Sequence, residues 1–173
     1  MSINGNVAAL ACDEMLQLAD HLSCPVEVNI FYRTPERMEA ILNHMNERKL
    51  ALGLEVPVLG HAPDAQIPGL KGPRAACHRE GILESDVILV PLEDGDRCNA
   101  LVAMGKTVIV IDLNPLSRSA QQGSITIVDE LSRALNTMLT LARIEDGLEM
   151  DPSYDHTAVL NEGLAEMLTS LNP

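Results

Sequence analysis

Residues 87–97 read Val87-Ile88-Leu89-Val90-Pro91-Leu92-Glu93-Asp94-Gly95-Asp96-Arg97. Four apolar residues run without alternation, which predicts a strand covered on both faces, as in a parallel sheet. Pro91 has no N–H to give to a ladder and ends the run. Behind it stand three carboxylates, a glycine and an arginine. In an open parallel sheet, ligands lie in the crevice beyond the carboxyl ends of the strands. The same letters also suit a solvated acidic turn, since Asp-Gly is ordinary turn chemistry.

Working outward, Thr107 to Asp112 is a second buried run, followed by Leu113-Asn114-Pro115-Leu116-Ser117-Arg118. An acid, an asparagine and an arginine again follow a buried strand. Two adjacent parallel strands would bring both loops to one sheet edge. Between them a short helix is expected over Asn99 to Gly105. Toward the amino end, Val26 to Phe31 reads as buried strand. Thr34-Pro35-Glu36 then opens a helix to about Leu50, with Met38, Ile41, Leu42 and Met45 inside: Thr caps, Pro suits the first position, and Glu meets the positive end. Asn4-Gly5-Asn6 predicts a tight turn in which Asn6 caps a single helix carrying Val7, Leu10, Met15, Leu18 and Leu22. Val56 to Gly60 is a short strand, His61 to Arg74 a long loop, and Arg74 to Glu80 a short helix stopped by Gly81. Ile125 to Val128 is the next strand, and a helix starting at Asp129 carries Leu131, Leu135, Met138, Leu139 and Ala142 inside. An acidic linker, Glu145 to Tyr154, leads to a last amphipathic helix with Val159, Leu160, Leu164, Met167, Leu168 and Leu171. The alternation of strands and helices predicts a Rossmann-like α/β three-layer fold with a mostly parallel sheet. Residues 1–144 would form the core; residues 145–173 would be the linker and a helix packed on the core or on a second subunit.

The 173 residues suffice for one domain, and a hydrophobic share of 46% makes it a folded one. Aromatic residues are only 2%, which leaves little to stack on bases, and a net charge of −13 repels phosphate backbones, so no nucleic-acid partner is expected. No apolar run approaches the ~20 residues of a membrane span, and no membrane partner is expected. Cys12, Cys24, Cys77 and Cys98 form no C-x-x-C pair. Scattered thiols fit a reducing compartment, so the expected location is cytoplasmic.

Neither G-x-G-x-x-G, G-x-x-x-x-G-K-[ST] nor G-x-S-x-G occurs, which weakens dinucleotide, P-loop and α/β-hydrolase readings. What remains is acids (Glu93, Asp94, Asp96, Asp112) near bases (Arg97, Lys106, Arg118, with Arg33 and Arg37 further off). A phosphate ~5 Å from a carboxylate is repelled by about 3 kcal/mol per unit pair at an effective dielectric near 20. A divalent ion reverses that sign, so acids beside a nucleotide imply Mg²⁺ held by one or two carboxylates and the phosphates. The residues alone thus indicate a site for a magnesium nucleotide or a phosphorylated substrate at a sheet edge.

Seven strings occur in order: NGN-x-AAL (Asn4 to Leu10), NIFYRTPER (Asn29 to Arg37), IPGL (Ile67 to Leu70), VILVPLEDGDR, ALVAMGK (Ala100 to Lys106), IDLNPLSR (Ile111 to Arg118) and SITIVD (Ser124 to Asp129). Together they resemble the archaeal 4-phosphopantoate–β-alanine ligases, or phosphopantothenate synthetases. The resemblance implies ATP-dependent condensation of 4-phosphopantoate with β-alanine through a phosphopantoyl-adenylate, Mg²⁺ as the accompanying ion, and a homodimer. It further implies that Asp94, Gly95, Asp96, Arg97 and Asn99 line an ATP site with Asp112, Leu113 and Asn114. Asp94 and Asp96 would hold the metal. Asn4, Asn6, Arg33, Arg37, Ser117 and Arg118 would meet phosphate or phosphopantoate. The family this chain resembles usually continues its GDR with Thr-Glu, where this chain has Cys98-Asn99. Family members also carry a helical segment ahead of the NGN turn, which these 173 residues do not include. The alternative expectation is therefore a truncated, non-catalytic homologue that keeps dimerisation and nucleotide binding.

Overall fold

A computed structural model describes residues 1–144 and 151–170. In chain order the elements are β1 (Ser2–Ile3), α1 (Gly5–Leu10), α2 (Cys12–His21), β2 (Val26–Val28), α3 (Pro35–Leu52), β3 (Val58–Leu59), β4 (Ala65–Gln66), β5 (Ala76–Cys77), β6 (Val87–Pro91), α4 (Gly95–Ala103), β7 (Thr107–Ile111), α5 (Arg118–Gln122), β8 (Ile125–Ile127), α6 (Leu131–Ala142) and α7 (His156–Ser170). Strands β1-β2-β3 pair in parallel, as do β6-β7-β8. Because β1 lies beside β6, the two sets form one layer. The chain thus runs outward from β1 on one side and from β6 on the other. The crevice between β1 and β6 is the switch point at which such sheets hold ligands.

Alternate side chains of the central strands feed two cores, and that makes three layers. Leu89 and Ile111 pack with α1, α2, α3 and α6. Ile88, Val90, Val108 and Val110 pack with Cys98, Ala100 and Leu101 of α4 on the other face. Burying each Leu or Ile contributes roughly 1.5–3 kcal/mol, so covering both faces outweighs any single helix propensity. The expected Rossmann-like α/β architecture is the observed one.

Several boundaries differ from expectation. Asn4, not Asn6, caps the first helix: its Oδ1 accepts from Asn6 N and Val7 N, both at 3.0 Å. The helix predicted to Leu22 is two helices. Ala11 (φ −149°) breaks it, and Asp13 and Glu14 then supply the first turn of α2. Leu10 and Leu22 are exposed, since no single helical period runs across the break. β2 stops at Val28, although Asn29 and Ile30 stay buried, and Phe31 is 58% exposed. The predicted loop 61–74 contains β4, which pairs antiparallel with β5. Over 74–80, in place of a helix, lie a 3-10 turn (Pro73–Ala75), β5 and the start of an irregular turn (Arg79–Leu83). That turn is organised by buried Glu27, whose carboxylate accepts from His78 N at 3.1 Å and Ile82 N at 2.9 Å. Gly81 has no side chain because a Cβ there would overlap the Glu27 carboxylate.

Helix α4 begins at Gly95, four residues before the predicted start, because Asp94 is its N-cap. Helix α6 begins at Leu131, capped by Glu130 where Asp129 was expected. Met138 and Ala142 are half-buried there, as is Ile41 in α3. Helix α7 buries none of its side chains fully, yet it packs on the edge strand: Gly163 meets Val128, and Tyr154 Oη accepts the Thr126 N–H at 3.2 Å. The predicted linker at 145–150 and Leu171 lie outside the described residues. Among the described residues no helix is long and apolar enough to cross a membrane.

Candidate active site

The carboxyl ends of β1, β2, β6 and β7 meet at one edge, and hydrogen bonds fix how. Asn4, just past β1, donates its Nδ2 to the Pro91 and Leu92 carbonyls at 3.1 and 2.9 Å. Leu92 takes a left-handed φ of 51°, which costs a non-glycine residue roughly 1 kcal/mol or more. Its N–H still reaches Ile111 O at 3.0 Å, so the turn out of β6 is tied to β7. This turn sends Glu93 inward and Asp94 outward.

Glu93 lies under the edge between two arginines. Its carboxylate pairs with Arg97, whose side chain is fully buried, and with Arg74. Arg74 Nη2 donates to Glu93 Oε2 at 2.7 Å and to Asn29 O at 3.2 Å, and its Nε donates to Asn29 Oδ1 at 3.2 Å. Asn29 donates Nδ2 back to Arg74 O at 3.3 Å and Ala76 O at 2.9 Å, which holds the entry into β5 against the end of β2. Arg74 Nη1 reaches Asp94 Oδ2 at 2.9 Å, while Asp94 Oδ1 accepts the Arg97 N–H at 2.8 Å as the helix cap.

Above this buried set opens a cleft of about 620 Å³. One wall is charged and polar: Arg74, Asp94, Asp96 and Asn99. The rest of the lining is Phe31, Ala100, Ala103 and the loop from Pro68 to Pro73, in which the cation Lys71 stands among apolar groups. Phe31 stacks edge-on with Tyr32 at 5.1 Å, so two of the chain's three aromatic residues stand exposed here. A cleft lined by both ionic and apolar groups suits a ligand with a charged group and an apolar body.

The expected site residues divide into groups. Asp94, Asp96 and Asn99 face the cleft. Gly95 lies behind them, where a Cβ would overlap Arg118. Arg97 is not on the cleft but under it. Asp112, Leu113 and Asn114 make the neighbouring loop. Asp112 Oδ2 accepts from Ser117 Oγ at 2.6 Å and Ser119 Oγ at 3.0 Å, Asn114 Oδ1 accepts the Leu116 N–H at 3.0 Å, and Leu113 is exposed. Arg118 Nη1 joins the two loops through Asp96 at 2.7 Å. Asn4 is engaged in capping and bracing, and Asn6 is exposed in the first turn of α1. Arg33 donates to Gly60 O and faces a separate cleft with His61. Arg37 faces a third, beside α1. Lys106 lies away from this edge, donating to Leu83 O and Ser85 O. Sequence reasoning missed Arg74 and Asn29. Their sequence signal was slight, since each meets its partners only through the fold.

Of the adjacent pair Cys98 and Asn99, only Asn99 meets the cleft. Cys98 lies on the buried face of α4, and burial, with Glu93 nearby, pushes its thiol up to about 12. All four cysteines are free thiols. Among the described residues no three His, Cys, Asp or Glu side chains gather as a metal site. A Mg²⁺ ion completed by phosphate oxygens and water needs only one or two carboxylates, and Asp94 and Asp96 on one wall fit that requirement.

Comparison with known proteins matches residues 1–169 to the family model described as phosphopantothenate/pantothenate synthetase. The chain is 50% identical over 170 residues to the 4-phosphopantoate–β-alanine ligase of Thermococcus onnurineus, covering 95% of this chain and 64% of that one. It is 45% identical over 170 residues to the ligase of the same name from Thermococcus kodakarensis, with the same coverage. The Methanosarcina mazei ligase is 44% identical over 173 residues, covering 96% of this chain and 66% of that one. The chain thus spans a little under two thirds of the length of the curated relatives it matches. With the match extending over residues 1–169, the chain belongs to the phosphopantothenate/pantothenate synthetase family.

Proposed function

We propose that this chain carries the activity of an ATP-dependent ligase joining 4-phosphopantoate to β-alanine, which yields 4′-phosphopantothenate for coenzyme A synthesis. The observation that carries the reading is 44–50% identity over 170–173 residues to relatives named 4-phosphopantoate–β-alanine ligase. Carboxylate and amine do not condense in neutral water. In this reading an oxygen of the phosphopantoate carboxylate attacks the α-phosphorus of ATP and pyrophosphate leaves. The β-alanine amine then attacks the acyl carbon, loses a proton, and AMP departs. Charge growing on the phosphorus needs cations held in place beforehand. Mg²⁺ on Asp94 and Asp96 would supply part of that charge, with Arg74 and Lys71 on the same cleft adding to it. The apolar lining around Phe31 suits the adenine ring or the dimethyl body of the pantoyl group.

We further assign residues 1–144 to a Rossmann-like ligase core and residues 145–173 to an acidic linker and helix packed on the core or a dimer partner. A homodimer in the cytoplasm completes the reading, and four free thiols suit a reducing compartment. The test is AMP release by the 173-residue chain with Mg-ATP, 4-phosphopantoate and β-alanine, each omitted in turn. AMP that depends on all three supports the ligase. ATP binding without AMP favours the non-catalytic homologue.

A further inference from the structure

Arg97, Glu93 and Arg74 place two guanidinium groups on one buried carboxylate, which leaves one positive charge that Glu93 does not balance. Arg74 carries that charge to the cleft. Its Nε and Nη2 are fixed by Asn29 and Glu93, and Nη1 stands between Glu93 and Asp94. The two acids differ in access. The Glu93 side chain is 1% exposed, whereas that of Asp94 is 44% exposed. A buried charge needs a partner at all times, but an exposed partner can be exchanged without stranding either ion.

We infer that Asp94 is an exchangeable counter-ion for Arg74. A phosphoryl oxygen of the substrate takes over Nη1 of Arg74, and the Oδ2 of Asp94, released from that pair, turns to the divalent cation accompanying the phosphate. The inference rests on the reading of the cleft as a phosphorylated-substrate site. It explains how a chain of net charge −13 admits an anion beside two aspartates. With no ligand, Asp94 neutralises Arg74; with a ligand and its cation, every charge in the set is paired again. Either ATP or 4-phosphopantoate supplies the same phosphoryl chemistry, and the experiment separates them.

The experiment is calorimetric titration of the 173-residue chain with ATP, with and without Mg²⁺, and with 4-phosphopantoate. Asp94→Asn removes the competing charge but keeps an equally good helix cap, so the site stays folded. Asp94→Asn is expected to bind one metal-free ligand several-fold tighter than the wild type and to lose the gain in affinity that Mg²⁺ gives. Arg74→Lys keeps the charge but loses the forked donors, and is expected to weaken that same ligand about ten-fold or more. A purely structural Asp94 would weaken metal-free and metal-bound forms alike. The inference is overturned if Asp94→Asn binds neither metal-free ligand more tightly, or if Arg74→Lys, folded by circular dichroism, binds both unchanged. Should Arg74→Lys fail to fold, the Asp94→Asn titrations decide alone. If the wild type binds neither ligand, the reading of the cleft fails along with the inference; if it binds and Asp94→Asn is unaltered, only the inference fails.

Discussion

Two ion pairs leave the same short loop and serve opposite purposes. Glu93–Arg97 joins positions four apart, with both side chains almost wholly out of water. Asp96–Arg118 spans two loops, with both side chains more than two thirds exposed. The residues alternate in role because the left-handed Leu92 turns the chain, and Asp94 then starts α4 with its first turn straddling the surface. The buried pair holds the cleft floor and fixes Arg74. The exposed pair sits at the rim, where water can replace either partner. In a motif such as EDGDR, charge identity alone does not tell a brace from a ligand-facing group; burial does.

The contrast breaks most visibly at Glu93. Glu93→Ala leaves Arg97 buried with no carboxylate, a loss expected to cost about 3–5 kcal/mol, read from urea unfolding. Next comes the close approach of the loops. Gly95→Ala drives a methyl group into Arg118 and should cost roughly 1–3 kcal/mol, with the cleft distorted as well. Glu27 sharpens the comparison as a buried carboxylate braced by backbone N–H groups from His78 and Ile82. Burial raises its pKa above the ordinary 4.5, although those N–H bonds pull it down. A carboxyl raised in the folded state contributes stability that is fully present below pH 4.5 and lost as pH rises through the folded value. Stability measured across that window should therefore fall toward neutral pH from this group, and Glu27→Gln should remove that part of the slope. The smallest expected change in stability is at the rim: Arg118→Ala should shift unfolding by less than ~1 kcal/mol.

The sheet and its covering helices were legible because Val87 to Val90 and Thr107 to Ile111 are apolar without alternation, and because Thr34-Pro35-Glu36 is a local capping signal. The edge where both loops meet followed from that. The start of α4 was missed because Asp94-Gly95-Asp96-Arg97 is chemically a turn as well as a helix start, and only the Asp94 cap decides between them. The inward course of Arg97 was missed for the same reason, since a polar loop reads as exposed until a helix begins in it. Arg74 sat in what reads as a long loop, and nothing local says that Asn29, 45 residues away, would hold it. Asn4 and Asn6 are equivalent by propensity; the carbonyls of Pro91 and Leu92 select Asn4. Such pairings depend on strand order, which short β1 does not announce.

The most direct test of the central division, brace below and ligand-facing acids above, is the Mg-ATP dissociation constant of Asp96→Asn measured beside its melting temperature. Affinity is expected to weaken about ten-fold or more, with melting within a degree or two of the wild type, as for an exposed pair at a ligand site. Unaltered Mg-ATP affinity, or a large fall in melting temperature with affinity kept, would contradict it.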